Sequence, residues 1–544
     1  MQNLLEVVKP TRATTSAAVR QTFVTRRRQR LMIAFAIVPI AVLHLVLMRD
    51  STFYSDDWTF IFTYSWSPNE LVRPSNGHLP LLGHVLWNAI MSIAGIESYL
   101  PYRLMGLAFV AVTAAALAEY TLRRAGWPLA LAVAIITMSL GSSFHALLWP
   151  IASLGLVSIA AIPVCLLALD SGRRTGLLVV AALMFLSLSA GGYGLVLPAA
   201  VGVELLLRRR WRAAMALVFA PVAILSLWVV TAGRSGVPGD QPALDIARLL
   251  DAPSYVVQSL ALGALSLTGQ APALASLAAG LFVAVLVWAI RRNGSVDVIR
   301  ILTWLAAATS FAVLVRLARA GDAELGAPRY LAFMALPLLM VLIEALRGLS
   351  FRRDQGLLVV PLLGMFVASN LAQLAQAGRG FEFLGQVHRG QLAAIELAAG
   401  VIPGDFSPGT EGMQYVTAEK YLAAVDAWGS PAYPLAELPL APEPARQAAD
   451  QTFVNAGLVS VVARSASCAP VGAAVTSLEL VPGETHVLVG FDAAELRARR
   501  FAEIAPAEPL FLLSAGSSIA VEVTADRAAR PWTLEFTTPV GLCS

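Results

Sequence analysis

The sequence predicts a polytopic α-helical membrane protein of about eleven transmembrane helices that ends in a small extracytoplasmic β-sandwich domain. Three observations predict it. Apolar residues make up 57% of the 544 positions and charged residues only 14%, and the mean hydropathy is +0.69, values foreign to a water-soluble globule. Apolar runs near the roughly 20 residues that ~30 Å of hydrocarbon requires recur from residue 31 to about 375. From about 376 onward charges, prolines and alternating patterns replace them, so a membrane region is followed by an extramembrane one.

In chain order, residues 1–30 form a basic cytoplasmic terminus. The apolar run after it is long, ends in Met48-Arg49-Asp50 and lacks a small-x-small exit, which favours an uncleaved anchor over a signal peptide. Spans are predicted near 31–48, 103–122, 127–140, 151–169, 176–190, 194–207, 213–232, 272–290, 298–316, 330–346 and 355–375. Loop charge sets their direction. The segments placed inside carry 21 Lys and Arg, those placed outside before residue 376 carry eight, and positive loops stay in the cytoplasm. Eleven crossings then put the carboxyl-terminal region outside, in a multi-pass protein of the plasma membrane. The formal charge of +4 reports this orientation and contact with anionic lipid. No basic surface studded with aromatics points to nucleic acid.

The first outer loop, 49–102, holds the most informative residues. Phe53-Tyr54-Ser55-Asp56-Asp57-Trp58 places two adjacent carboxylates among aromatics at the membrane edge. Desolvating such acids is costly, so acids held there usually meet a cation, a metal or a proton they must handle. The same loop offers Asn76, His78 and His84, with short interfacial helices expected near 56–66 and 79–94. Asp56 and Asp57 would equally suit the cap of the first of these helices. A divalent cation is the one cofactor the pair could hold. Glu119, Glu204 and Glu344 lie beside arginines at inner ends of spans and read as structural ion pairs, and His44 as a buried hydrogen-bonding residue.

Residues 376–450 read as an extracytoplasmic helical connector, with helical spacing over 381–400 and 417–428. Over 451–544 the period becomes two, as in Ile519-Ala520-Val521-Glu522-Val523-Thr524, and turn residues punctuate it. Cys468 and Cys543 could close a disulfide around about 75 residues, which the chain-entropy model values at ~4 kcal/mol. Cys165 lies inside a span and reads as a small buried hydrophobe.

An inside amino terminus, an Asp-Asp pair early in a long first outer loop and many further spans before an outer domain resemble the GT-C superfamily of membrane glycosyltransferases. Closer still, Asn76-Gly77-His78, Ser98-Tyr99-Leu100-Pro101-Tyr102-Arg103, Leu147-Leu148-Trp149, Leu188-Ser189-Ala190-Gly191-Gly192 and Arg329-Tyr330 are similar to runs in a broad group of actinobacterial polytopic proteins of that type. The likeness covers residues 30 to about 430. Where those relatives have a polar residue after the loop tryptophan, this chain has Pro150-Ile151-Ala152.

The resemblance implies transfer of a sugar from a polyprenyl-phosphate donor to a hydroxyl of a glycan, glycolipid or protein in the cell envelope. Asp56 or Asp57 would then be the catalytic base. Arg329, Arg316, Arg319 and His78 would hold the donor phosphate, and Tyr330, Asn76, His145 and Trp149 would line the substrate site. The other function classes are a lipid-carrier binder or transporter and a structural partner of envelope assembly. The centres of the spans are almost free of charge and no internal repeat is evident, which weighs against a transporter.

Overall fold

The computed structural model of the protein describes residues 12–74, 78–231, 246–269, 275–292, 297–318, 326–348, 353–464, 470–471, 473–506, 508–528 and 530–543. These residues divide into two units. The first comprises Met1–Val46, Leu71–Gly83 and Arg103–Ala377; the second comprises Leu47–Glu70, His84–Tyr102 and Gly378–Ser544. Residues 49–102 therefore do not belong to one body: Asp56 and Asp57 go with the carboxyl-terminal unit and His78 with the helical one.

The first unit is helical. Among the described residues, seven helices are long and apolar enough to cross a membrane: Thr25–Leu47, Leu100–Arg124, Pro150–Asp170, Trp211–Thr231, Val298–Leu317, Pro328–Leu346 and Val360–Leu397. An eighth arises if Trp127–Ser139 and Gly141–Leu148, bent by 42° at their junction, count as one broken span. The remaining three segments of the eleven expected fall on shorter apolar helices, Arg174–Leu188, Gly192–Leu207 and Ala279–Arg291. A 15-residue helix such as Arg174–Leu188 rises only ~22 Å, so length does not assign it a crossing. Pro328–Leu346 is 83% buried over its apolar window, and buried along nearly its whole length, as expected of a central helix. Val298–Ala318 packs against it and against Val196–Leu207. Thr25–Leu47 and Trp211–Thr231 are by contrast only 11% buried and expose Phe35, Ile224 and Leu227, as peripheral helices in hydrocarbon would.

Ion pairs staple the ends of several of these helices. Glu119 takes Arg30 at 2.6 Å and Arg123 at 2.7 Å. Glu344, fully buried, takes Arg124 at 2.9 Å and also accepts the Tyr120 hydroxyl. Glu204 is held by Arg208 and, at 3.4 Å, by Arg300. Breaking one partner of such a buried pair strands the other charge, at a cost of about 3–5 kcal/mol. His44 is seated as read from the sequence, with Nε2 donating to the Met138 carbonyl at 2.8 Å.

In the second unit the chain from Gly378 continues the 45-residue helix Arg353–Leu397, then forms the helices Ala418–Trp428 and Glu443–Asn455. Seven strands follow: β1 (Val459–Arg464), β2 (Val475–Leu480), β3 (Thr485–Gly490), β4 (Ala494–Arg499), β5 (Phe511–Leu513), β6 (Ser518–Val523) and β7 (Trp532–Leu542). They pair antiparallel in the order β1-β6-β3-β7-β4-β5, with β2 also on β7. The expected two-sheet sandwich is thus one connected, nearly closed sheet. Its physical cause is the length of β7, whose first half lies between β2 and β4 while its second half, Val540–Leu542, pairs with β3. A register shift between Val475 and Ser477 lets β2 follow that bend. Trp532 anchors the interior against Phe453 at 5.8 Å. The Asp450 carboxylate accepts the N–H groups of Arg500, Phe501 and Ala502 at 2.8–3.0 Å, tying the preceding helix to the sheet. Cys543 is disulfide-bonded and Cys165 is free and buried, whereas Cys468 lies outside the described residues.

Candidate active site

The paired acids open a short helix, Asp56–Phe62, and Ser55 precedes it with φ 51° and ψ −115°. That backbone is the first corner of a type II′ turn, a place for glycine. The Asp57 N–H closes the turn on the Tyr54 carbonyl at 3.1 Å. A serine held there stores about 1–3 kcal/mol of strain and persists only where its surroundings over-determine it. They do. The Ser55 N–H donates to the Gly412 carbonyl at 2.7 Å, Gln414 Nε2 donates to Ser55 Oγ at 2.9 Å, and the Tyr54 hydroxyl donates to Glu411 Oε1 at 2.7 Å. At Gly412, with φ +83°, an added Cβ would stand 2.4 Å from the Tyr54 ring, so no side chain fits. His388 stacks on Tyr54 at 6.3 Å between centroids and lies 2.8 Å from the Glu411 carbonyl through Nε2, which must therefore carry the proton.

The two acids differ. Asp57 is fully buried, and its Oδ2 accepts the Tyr54 N–H at 3.0 Å and the Tyr99 hydroxyl at 2.7 Å. Tyr99 itself packs edge-on against Phe53 at 4.8 Å, within a cluster that includes Tyr102. Asp57 is thus a positioning residue that fixes the turn, close to the capping role open to it in the sequence. Asp56, in the same first helical turn, is only partly buried. Of the pair it is the more exposed acid. His84 is buried against Phe60 at 4.8 Å, a packing residue.

The remaining sequence-selected residues belong to the helical unit. His78 sits on the Gly191-Gly192-Tyr193-Gly194 turn, where a Cβ on Gly192 would lie 2.7 Å from its Cε1, and the Leu82 N–H ties the same segment to the Ser189 carbonyl at 2.8 Å. Arg329 and Tyr330 begin the Pro328–Leu346 helix, with the guanidinium 4.9 Å from the Tyr330 ring. Tyr330 continues into an aromatic cluster with Phe311, Phe333 and Tyr193. Arg316 is engaged elsewhere, in an ion pair with Asp251 at 2.8 Å, which leaves it less fit to grip a phosphate. His145 lies in the Phe144–Leu148 helix, 6.0 Å from the buried Trp149 ring. A cavity of about 470 Å³ opens between the segments that carry these groups, lined by Ser142, Phe144, Ser266, Gly326, Leu331 and Gln373 among others. Its walls are apolar with neutral hydroxyl and amide groups, the chemistry of an uncharged ligand. Asn76 and Arg319 lie outside the described residues.

Sequence reasoning missed Glu411, Gln414 and His388, which clamp the acidic turn from more than 300 positions away. Nothing periodic marks them. The one local signal is Gly412, directly after Glu411 and two residues before Gln414, in a segment without helical spacing. Among the described residues, no group of three or more histidine, cysteine or acidic side chains converges as a metal site would require. No family model, curated protein or solved structure matches this chain.

Proposed function

We propose that this chain is a membrane glycosyltransferase that moves a sugar from a polyprenyl-phosphate donor to an acceptor hydroxyl on the extracytoplasmic face. In this reading the short apolar helices also cross, giving eleven crossings and an outer carboxyl-terminal unit. Asp56 accepts the proton of the acceptor hydroxyl while that oxygen bonds to the anomeric carbon from the side opposite the phosphate. The anomeric carbon–phosphate oxygen bond breaks, the electron pair leaves with the polyprenyl phosphate, and the configuration inverts. The resemblance implies Arg329 as the cation for the departing phosphate, and its residue type suits that role, because a planar guanidinium binds phosphate through two parallel hydrogen bonds. Asp57 and Tyr99 hold the turn that aims Asp56.

One observation carries the proposal: a strained serine turn, clamped by Glu411, Gly412 and Gln414, presents one partly exposed acid beside one that is fully buried and hydrogen-bonded. Strain of this kind collects at sites of chemistry. The test is incubation of the purified protein with a panel of labelled polyprenyl-phosphate sugars and acceptor glycans. Product with an inverted anomeric centre supports the reading. Turnover of no donor, with donor lipid still bound stoichiometrically, supports a lipid-carrier binder instead.

A further inference from the structure

A second site lies in the helical unit, far in sequence from the acids, where two turns rich in arginine meet. One is Ser171-Gly172-Arg173, between the helices Leu156–Asp170 and Arg174–Leu188; the other is Arg208-Arg209-Arg210, after the Val196–Leu207 helix. The second turn closes as a Schellman motif, with the Arg209 N–H on the Leu206 carbonyl at 2.9 Å and the Arg210 N–H on the Leu205 carbonyl at 2.8 Å. Its left-handed position, usually glycine, is Arg209 at φ 58°. An L side chain is therefore kept where the backbone asks for none.

The two turns enclose a cavity of about 590 Å³ lined by Arg173, Arg209, Arg210 and Arg212, with Trp211 and Leu177 on its apolar wall. These arginines differ from their neighbours. Asp170, Glu204, Asp297 and Glu344 are all taken by Arg124, Arg208 and Arg300. Among the described residues, no carboxylate pairs with the four that line the cavity, and of these Arg210 alone spends a guanidinium donor on the protein, on the Leu169 carbonyl at 3.3 Å. Trp211 is 60% exposed and Leu177 43% exposed, a flank suited to acyl chains rather than water.

We propose that this cavity binds the phosphodiester headgroup of an anionic phospholipid, with the acyl chains running past Trp211 and Leu177. Converging guanidinium groups match phosphate oxygens in a bidentate way, and unpaired cations beside exposed apolar surface recognise an anion attached to a hydrophobe. The site is independent of the reaction assigned to Asp56.

The test is native mass spectrometry of the full chain in detergent, titrated with phosphatidylglycerol, cardiolipin or phosphatidylcholine, with inorganic phosphate as competitor. The variant Arg173→Gln/Arg209→Gly/Arg212→Gln removes three cations, and its glycine relaxes the left-handed position, so the fold is retained. The variant Arg26→Gln/Arg27→Gln/Arg28→Gln in the first helix removes equal charge elsewhere. Saturable binding of the anionic lipids that the cavity variant weakens by about 100-fold, at unchanged thermal stability, is the expected result. Equal loss in both variants, equal binding of phosphatidylcholine, or displacement by inorganic phosphate at matching concentration would overturn the proposal.

Discussion

Replacing Tyr99 by phenylalanine deletes one oxygen, and the structure fixes what that oxygen does. It stands 2.7 Å from Asp57 Oδ2, between a side chain that is fully buried and a tyrosine that is 6% exposed. A hydrogen bond to an ionised group contributes about 1.5–3 kcal/mol, and water cannot replace the lost donor at this depth. Asp57→Asn keeps an acceptor oxygen but removes the charge, so it weakens the same bond and the one from the Tyr54 N–H at 3.0 Å. Each single variant should therefore lower the unfolding free energy, and the double variant should lower it by less than their sum. The expected coupling is about 1–2 kcal/mol, measured as a double-mutant cycle by denaturant titration in detergent. Under the proposed function the effect reaches activity through Ser55, since a looser turn would release its strain and misdirect Asp56. Coupling below about 0.5 kcal/mol would refute the assignment of Asp57 as the residue that fixes the turn.

Three further outcomes are expected. Gly412→Ala drives a Cβ to 2.4 Å from Tyr54 in a left-handed backbone, and should destabilise the carboxyl-terminal unit by about 1–3 kcal/mol while releasing the Tyr54 hydroxyl to solvent, seen as altered tyrosine fluorescence. Arg329→Ala should lower kcat/KM for the donor by about 30- to 100-fold, and Arg329→Lys should restore only part of it, because an ammonium lacks the planar fork. At Glu443 burial pushes the carboxyl up, but the N–H groups of Ile504 and Glu503 and the Arg446 guanidinium outweigh it and hold the group below its ordinary value of 4.5. Its contribution to stability is thus present above pH 4.5 and lost as pH falls through the depressed value, so Glu443→Gln should flatten the acid limb of the unfolding curve monitored by Trp532 fluorescence.

Much of the fold was legible because composition and period report solvent directly. Every one of the eleven apolar runs read from the sequence coincides with a helix, and alternation over 519–524 and 532–537 marks β6 and β7. What hydropathy could not supply is length in three dimensions: a break at Leu140 and the short Arg174–Leu188 helix leave the number of crossings open to geometry. Strand alternation likewise tells which face is buried but not which strands meet, so the bend of β7 that turns a sandwich into one sheet had no local signature. At the site, the acidic pair stood out by chemistry. The difference between its members did not, because it depends on Tyr99 and on the Glu411–Gln414 segment, which approaches the Tyr54–Ser55 turn only after folding. Arg316 shows the converse, a well-placed cation in the sequence whose charge is already engaged by Asp251.

The central claim is that Asp56 removes a proton from an acceptor hydroxyl. Its most direct measurement is single-turnover transfer from a labelled polyprenyl-phosphate sugar, comparing wild type with Asp56→Asn at matched folding. The account predicts transfer by the wild type and a loss of about 10²- to 10⁴-fold in Asp56→Asn, the usual contribution of a positioned base, with donor binding intact. Transfer by Asp56→Asn at the wild-type rate would contradict it.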